Sequence, residues 1–158
     1  DSTGGNGSNK LWHDGIDESS YCRHAATGLV TLKGELKPDF GILVYPVISM
    51  KKNITHQFSR FNLMGKSPSE DTVIKFSTEE QVAEDTPATI LFHCSDDPAV
   101  KPENSIVFYQ ALLRNAVPAE MHVYPKGRHG WGFIEGAPFP YFNEFKTTVL
   151  RWIAEQNN

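Results

Sequence analysis

The chain has 158 residues, enough for one domain with a real core. Its formal net charge of −4 comes with no basic stripe, so nucleic acid is not an expected partner. No apolar run approaches the ~20 residues that cross a bilayer, no signal peptide is visible at the start, and no membrane association is expected. Cys22 and Cys94 form neither a disulfide framework nor a zinc spacing. With no His/Asp/Glu cluster at metal spacing either, no metal and no cofactor is expected. The cysteines leave the cellular compartment undetermined.

Residues 1–20 are polar and glycine-rich and read as loop or terminus. Residues 21–36 offer Ala25, Ala26, Leu29, Val30 and Leu32 as apolar positions of a helix, which Gly28 weakens. Residues 40–46, between Pro38 and the closing Pro46, form a short continuous apolar run, the pattern of a strand buried on both faces of a parallel sheet. Residues 47–86 are mixed and read as an excursion from the sheet, with a short helix near 67–76 that Ser69 would start. A second apolar run, with β-branched members, occupies 88–94 and ends at Cys94, which is expected to be a buried free thiol. Residues 102–116 are helical in pattern, with Ile106, Tyr109, Leu113 and Ala116 on one face, and Pro118 stops the helix. A third strand at 120–124 leads into the glycine-rich loop 126–132. The last helix, 141–156, carries Phe142, Phe145, Val149, Trp152 and Ile153 at helical spacing.

Strand, helix, strand, helix over residues 88–156 is a βαβα order, which makes the two strands parallel. The fold class is therefore α/β. In such sheets ligands bind beyond the carboxyl ends of the strands. Two loops leave those ends: one begins Ser95-Asp96-Asp97-Pro98, the other holds Arg128-His129-Gly130. On neighbouring strands ~4.8 Å apart, an acid and a histidine face each other by topology alone. That is the second half of a Ser…Asp…His arrangement in α/β-hydrolase chain order. An aspartate after a strand is more often a turn former or helix cap, and a histidine between glycines is commonly a surface residue, so the pair at matching strand ends carries the argument.

The segment Pro38-Asp-Phe-Gly-Ile-Leu-Val-Tyr-Pro-Val-Ile-Ser-Met50, with Ser59-Arg60, Asn62-Leu-Met-Gly65, Pro68-Ser-Glu70, Thr86-Pro87 and the whole of His93 to Phe133, resembles bacterial carboxylesterases of the α/β-hydrolase superfamily. These are acetyl-xylan and feruloyl esterase-like enzymes related to the hormone-sensitive-lipase group. The resemblance covers roughly residues 37–155. It implies that Asp97, in the pattern Asp97-x-x-Val100, is the triad acid, that Asp96 is its non-catalytic neighbour, and that His129 is the catalytic histidine. Adjacent residues leaving a strand point opposite ways, so Asp96 is expected to face solvent or to cap the helix that starts near Pro102.

The family's Gly-x-Ser-x-Gly elbow is not present in full. Asp1-Ser2-Thr3-Gly4-Gly5-Asn6 resembles an elbow without its first glycine, which makes Ser2 the candidate nucleophile and the Thr3 amide a candidate oxyanion donor. A rival alignment sets Arg23 to Thr27 on the helix after the elbow and points to Ser19 or Ser20, without the glycines that the strained turn needs. The resemblance thus divides the chain into a polar segment 1–36, holding a remnant of the elbow and a helix, and a C-terminal α/β-hydrolase portion 37–158 with the early strands missing. A fragment, a clipped product or one piece of a split hydrolase is expected, with a second chain or a dimer covering the incomplete sheet. The implied activity is hydrolysis of a small ester or acylated carbohydrate, with acetyl or feruloyl esters of polysaccharide in view. A peptidase on the same triad and a non-catalytic binding chain remain as alternatives. Trp131 is a candidate for packing on the acyl or aryl group, or else for filling core; His56 lines the substrate mouth or lies on the surface; His93 and His122 are expected as satisfied core or edge residues.

Overall fold

The structure, a computed structural model, describes residues 26–32, 37–133, 136 and 138–157. In chain order it holds β1 (Gly41–Val44), α1 (Gln57–Met64), α2 (Glu70–Phe76), a 3-10 turn (Thr78–Glu80), β2 (Thr89–Cys94), α3 (Glu103–Arg114), β3 (Ala119–Tyr124) and α4 (Phe142–Gln156). The strands form one sheet in the order β1-β2-β3, parallel throughout. Gly41 to Val44 pair with Thr89 to Phe92, and Thr89 to Cys94 pair with Ala119 to Tyr124. Every residue of the central strand β2 is buried, as its unbroken apolar run predicts.

The two-residue period of the strands sorts their side chains into two cores. Ile42, Ile90, Phe92 and Cys94 pack on one face with Phe145, Val149 and Trp152 of α4. Leu43 and Leu91 pack on the other with Phe108 and Leu112 of α3 and with Ala26 and Val30 of the helical residues 26–30. Helices therefore cover both faces, which is what a parallel sheet requires. A third cluster of Val47, Met50 and Val100, with Leu63, Met64, Val73 and Phe76 against it, seats the excursion 47–86 beside the carboxyl ends of the strands. The register leaves β1 hydrogen-bonded to a strand on one side only among the described residues.

Two local expectations are corrected, and one helix, α1, was not anticipated. The segment 21–36 is helical over 26–30, with Thr31 in a turn and Leu32 irregular; its remaining residues lie outside those described. Helix α1 had no apolar signal because its pattern is inverted: Ser59 and Arg60 are buried while Phe58 and Phe61 are exposed, Phe58 by 62%. The Arg60 guanidinium is held inside by the Met50 carbonyl, to which its Nε donates at 2.9 Å. Helix α3 buries Asn104, Ser105, Phe108, Ala111 and Leu112, and turns Ile106 and Leu113 to solvent, Leu113 by 53%. Both faces of α3 fit a three-and-four spacing. The buried one carries two polar residues because each has a specific partner inside.

One of those partners is the chain that leaves β1. Asn104 accepts at Oδ1 from the Ile48 and Ser49 amides, both at 3.0 Å, and donates from Nδ2 to the Ile54 and Lys101 carbonyls at 2.8 and 3.1 Å. One fully buried carboxamide thus pins the path of the chain from the β1 end into the excursion.

Candidate active site

The loop after β2 starts as a continuation of the ladder, with the Ser95 amide donating to the Tyr124 carbonyl at 2.8 Å. The chain then turns on Asp97. Its Oδ1 accepts from the Ala99 and Val100 amides at 2.8 and 2.9 Å, the local turn that an aspartate side chain favours. This fixes the carboxylate with its other oxygen pointing across to the loop after β3. There Oδ2 lies 2.5 Å from His129 Nδ1 and 3.3 Å from His93 Nε2. The Asp97 side chain is wholly buried, while the His129 side chain keeps 13% of its surface exposed.

The loop after β3 bends in ways that demand its glycines. Gly127 has φ of 152°, and a Cβ there would stand 2.6 Å from the Cys94 sulfur and 2.7 Å from the Phe139 ring. Arg128 adopts the left-handed conformation with φ of 57°, unusual for a side-chain-bearing residue. Its amide donates to Asp96 Oδ1 at 2.8 Å. Asp96 is exposed, as expected, but it neither faces solvent alone nor caps α3: it ties down the residue immediately before His129. The two adjacent aspartates thus divide the work, Asp97 holding the imidazole and Asp96 holding its backbone.

Burial alone would raise the Asp97 carboxyl, but hydrogen bonds from His129, His93 and the Val100 amide outweigh it and hold the group well below the ordinary carboxylate range. An ionised Asp97 is an acceptor only, so His129 Nδ1 carries the proton. In the neutral imidazole Nε2 is then the basic nitrogen, the one that a general base needs.

Tyr45 forms the floor beside His129, with ring centroids 4.5 Å apart. It is the first residue after β1, is buried, and has φ of 41°; its amide still bonds the Phe92 carbonyl at 2.7 Å. Sequence reasoning treated Tyr45 as strand and missed this contact, although Pro46 directly after it marks a forced turn. Trp131 lies in the core. It is 2% exposed, stacked on Phe139 at 3.9 Å, and edge-on to Tyr45 at 5.2 Å. The reason is the bend at Gly130 (φ of 87°), after which the indole joins the aromatic cluster on the α4 face.

The remaining candidates fall as follows. Ser2, Thr3, Ser19 and Ser20 lie outside the described residues. Cys94 is a buried free thiol, pushed up to about 12 by burial. His56 is the N-cap of α1, with Nδ1 2.7 Å from Ser59 Oγ. His122 stacks on Phe92 and pairs with Glu120 at 2.6 Å. Among the described residues no three His, Cys, Asp or Glu side chains cluster closely enough to hold a metal ion.

Known proteins similar to this chain are hydrolases of carbohydrate esters and glycosides by name. The acetylxylan esterase of Xylanibacter ruminicola is 32% identical over 123 residues, which is 75% of this chain and 25% of that protein. Endo-1,4-beta-xylanase B of Butyrivibrio fibrisolvens is 37% identical over 94 residues, 60% of this chain and 15% of that protein. Among solved structures, the acetyl ester-xyloside bifunctional hydrolase of Caldicellulosiruptor lactoaceticus superposes with a TM-score of 0.77 at 33% identity, covering 84% of this chain and 53% of that one. The chain therefore spans a quarter or less of these curated relatives and about half of the solved hydrolase, so what it folds into is part of the α/β-hydrolase architecture. Residues 29–155 match the prolyl oligopeptidase family. With that match over most of its length, the parallel sheet and the Asp97–His129 pair at the sheet's carboxyl edge, the chain belongs to the prolyl oligopeptidase family of α/β-hydrolases.

Proposed function

We propose that this chain supplies the acid and histidine of a serine carboxylesterase, with acetyl esters on xylan as the favoured substrate class. The observation that carries the reading is the 2.5 Å hydrogen bond between buried Asp97 and partly exposed His129. In the reaction a serine Oγ adds to the ester carbonyl while His129 Nε2 takes its proton. Asp97 holds the imidazole in the required tautomer and stabilises the imidazolium. The tetrahedral adduct expels the alcohol, which takes the proton back from His129. Water repeats the sequence on the acyl-enzyme and releases the acid. Ser2, with the Thr3 amide as an oxyanion donor, is our assignment for the nucleophile, and Ser19 or Ser20 is the alternative. The names of the similar proteins, an acetylxylan esterase, a xylanase and an acetyl ester-xyloside hydrolase, favour an acetylated xylan over a peptide. The side of β1 that carries no strand among the described residues is where a second chain or a second copy would extend the sheet, since an open strand edge invites pairing.

The test is covalent labelling with a fluorophosphonate, mapped by peptide mass, alongside release of acetate from acetylated xylan and of p-nitrophenol from its acetate. A label on Ser2 with ester turnover supports the reading. A label on Ser19 or Ser20 moves the nucleophile. Turnover of a proline-containing peptide without ester turnover replaces the esterase by a peptidase, and no label with no turnover leaves a non-catalytic binding chain.

A further inference from the structure

His93 is fully buried next to the carboxyl end of β2, a strand whose other side chains are apolar or small. An aliphatic residue would fill the same space without the cost of desolvating an imidazole. Every polar atom of the ring is nevertheless engaged. Nε2 lies 2.9 Å from the Val100 carbonyl, and Nδ1 lies 2.8 Å from Ser105 Oγ, a fully buried hydroxyl on the first turn of α3. A carbonyl can only accept, so Nε2 carries a proton; in the neutral ring Nδ1 then accepts from the Ser105 hydroxyl. The same Nε2–H stands 3.3 Å from Asp97 Oδ2, the oxygen that His129 uses.

We propose that His93 is the positioning residue that fixes the Asp97 carboxylate for His129. It acts twice. Directly, its Nε2–H, which donates to the Val100 carbonyl, also turns its positive end toward Oδ2, with Nε2 3.3 Å away. Indirectly, by holding the Val100 carbonyl it fixes the residue whose amide binds Oδ1 at 2.9 Å, which sets the rotation of the carboxylate. Ser105 in turn fixes the rotamer and tautomer of His93, so that α3 supports the acid through an unbroken line Ser105, His93, Asp97, His129. The proposal rests on reading Asp97 as the acid of the hydrolase site, and it concerns how that acid is held rather than which ester is cleaved.

The experiment reads the His129 Nδ1 proton directly by NMR, through its low-field resonance and its exchange with water, in the chain as it stands. His93→Asn keeps a group near Ser105 but withdraws the donor at the Nε2 position, whereas His93→Gln can restore that donor. We expect His93→Asn to speed exchange of the His129 proton roughly tenfold or to abolish its resonance, the scale set by losing one hydrogen bond to a charged acceptor. His93→Gln restores most of it, while the amide spectrum of each variant stays that of a folded protein. A folded His93→Asn with the wild-type resonance and exchange rate overturns the proposal. Should that variant not fold, Ser105→Ala carries the test, since it removes only the hydroxyl that holds Nδ1; wild-type exchange there also overturns it. Esterase assays on the same samples separate the two ideas. Absence of turnover together with the expected exchange pattern rejects the esterase reading and upholds His93 as the support of Asp97.

Discussion

Asparagine at position 97 puts the division of labour between the two aspartates under direct test. The Asp97 carboxylate faces four donors, two backbone amides at Oδ1 and two imidazole N–H groups at Oδ2. A carboxamide has one accepting end. If its oxygen stays with Ala99 and Val100, its NH2 meets the N–H groups of His93 and His129; if it flips, the NH2 meets the two amides. Either orientation leaves two donors facing an NH2 in a buried place, about 2–6 kcal/mol at ~1–3 per unsatisfied group. The cheapest relief is for His129 to move its proton to Nε2, which leaves the wrong nitrogen basic. Turnover of p-nitrophenyl acetate by the active esterase should then fall on the order of 10⁴, as expected for a triad histidine in the wrong tautomer; at ~1.36 kcal/mol per decade that is about 5.5 kcal/mol of barrier. Asp96→Asn keeps an oxygen for the Arg128 amide and sits in solvent, so its loss should stay below about tenfold. Comparable losses from the two substitutions, or a loss under about tenfold for Asp97→Asn, would refute the reasoning.

Asn104→Ala should lower stability by about 3 kcal/mol in urea titration, because it strands the buried Ile48 and Ser49 amides; a loss under ~1 kcal/mol would show that the chain repairs those contacts. Asp97 is held below its unfolded value of ~3.9, so the stability it contributes is present above that pH and is lost as pH falls below it toward the folded value. The urea midpoint of the wild type should therefore drop further between pH 6 and pH 3 than that of Asp97→Asn, whereas parallel drops would contradict the assignment. In a Cys22→Ser background, Cys94 should react with Ellman's reagent at pH 8 only as fast as the protein unfolds, since burial pushes its thiol to about 12; rapid labelling of the folded protein would place it nearer the surface.

Much of this architecture is legible in the residue order. The strands at 41–44 and 89–94 are signalled by continuous apolar runs, the strand at 119–124 by its place after the Pro118 stop, and the helix 142–156 by a three-and-four spacing; these follow from local geometry. Parallel pairing follows from the βαβα order, and with it the meeting of Asp97 and His129 at one sheet edge. What pattern cannot supply is the partner of a buried polar group. Helix α3 has two faces with acceptable spacing, and it turns Asn104 and Ser105 inward only because the chain after β1 and the imidazole of His93 wait there. Helix α1 hides Arg60 because the Met50 carbonyl meets it, so its buried face carries no hydrophobic signature. Trp131 and Tyr45 both lie buried in one aromatic cluster, with Tyr45 also against His129, and the backbone beside each turns through a positive φ, at Gly130 and at Tyr45 itself. Periodicity records which side chains avoid water, whereas hydrogen bonds between residues far apart in sequence exist only once the chain has closed on itself, and those bonds set the geometry of this site.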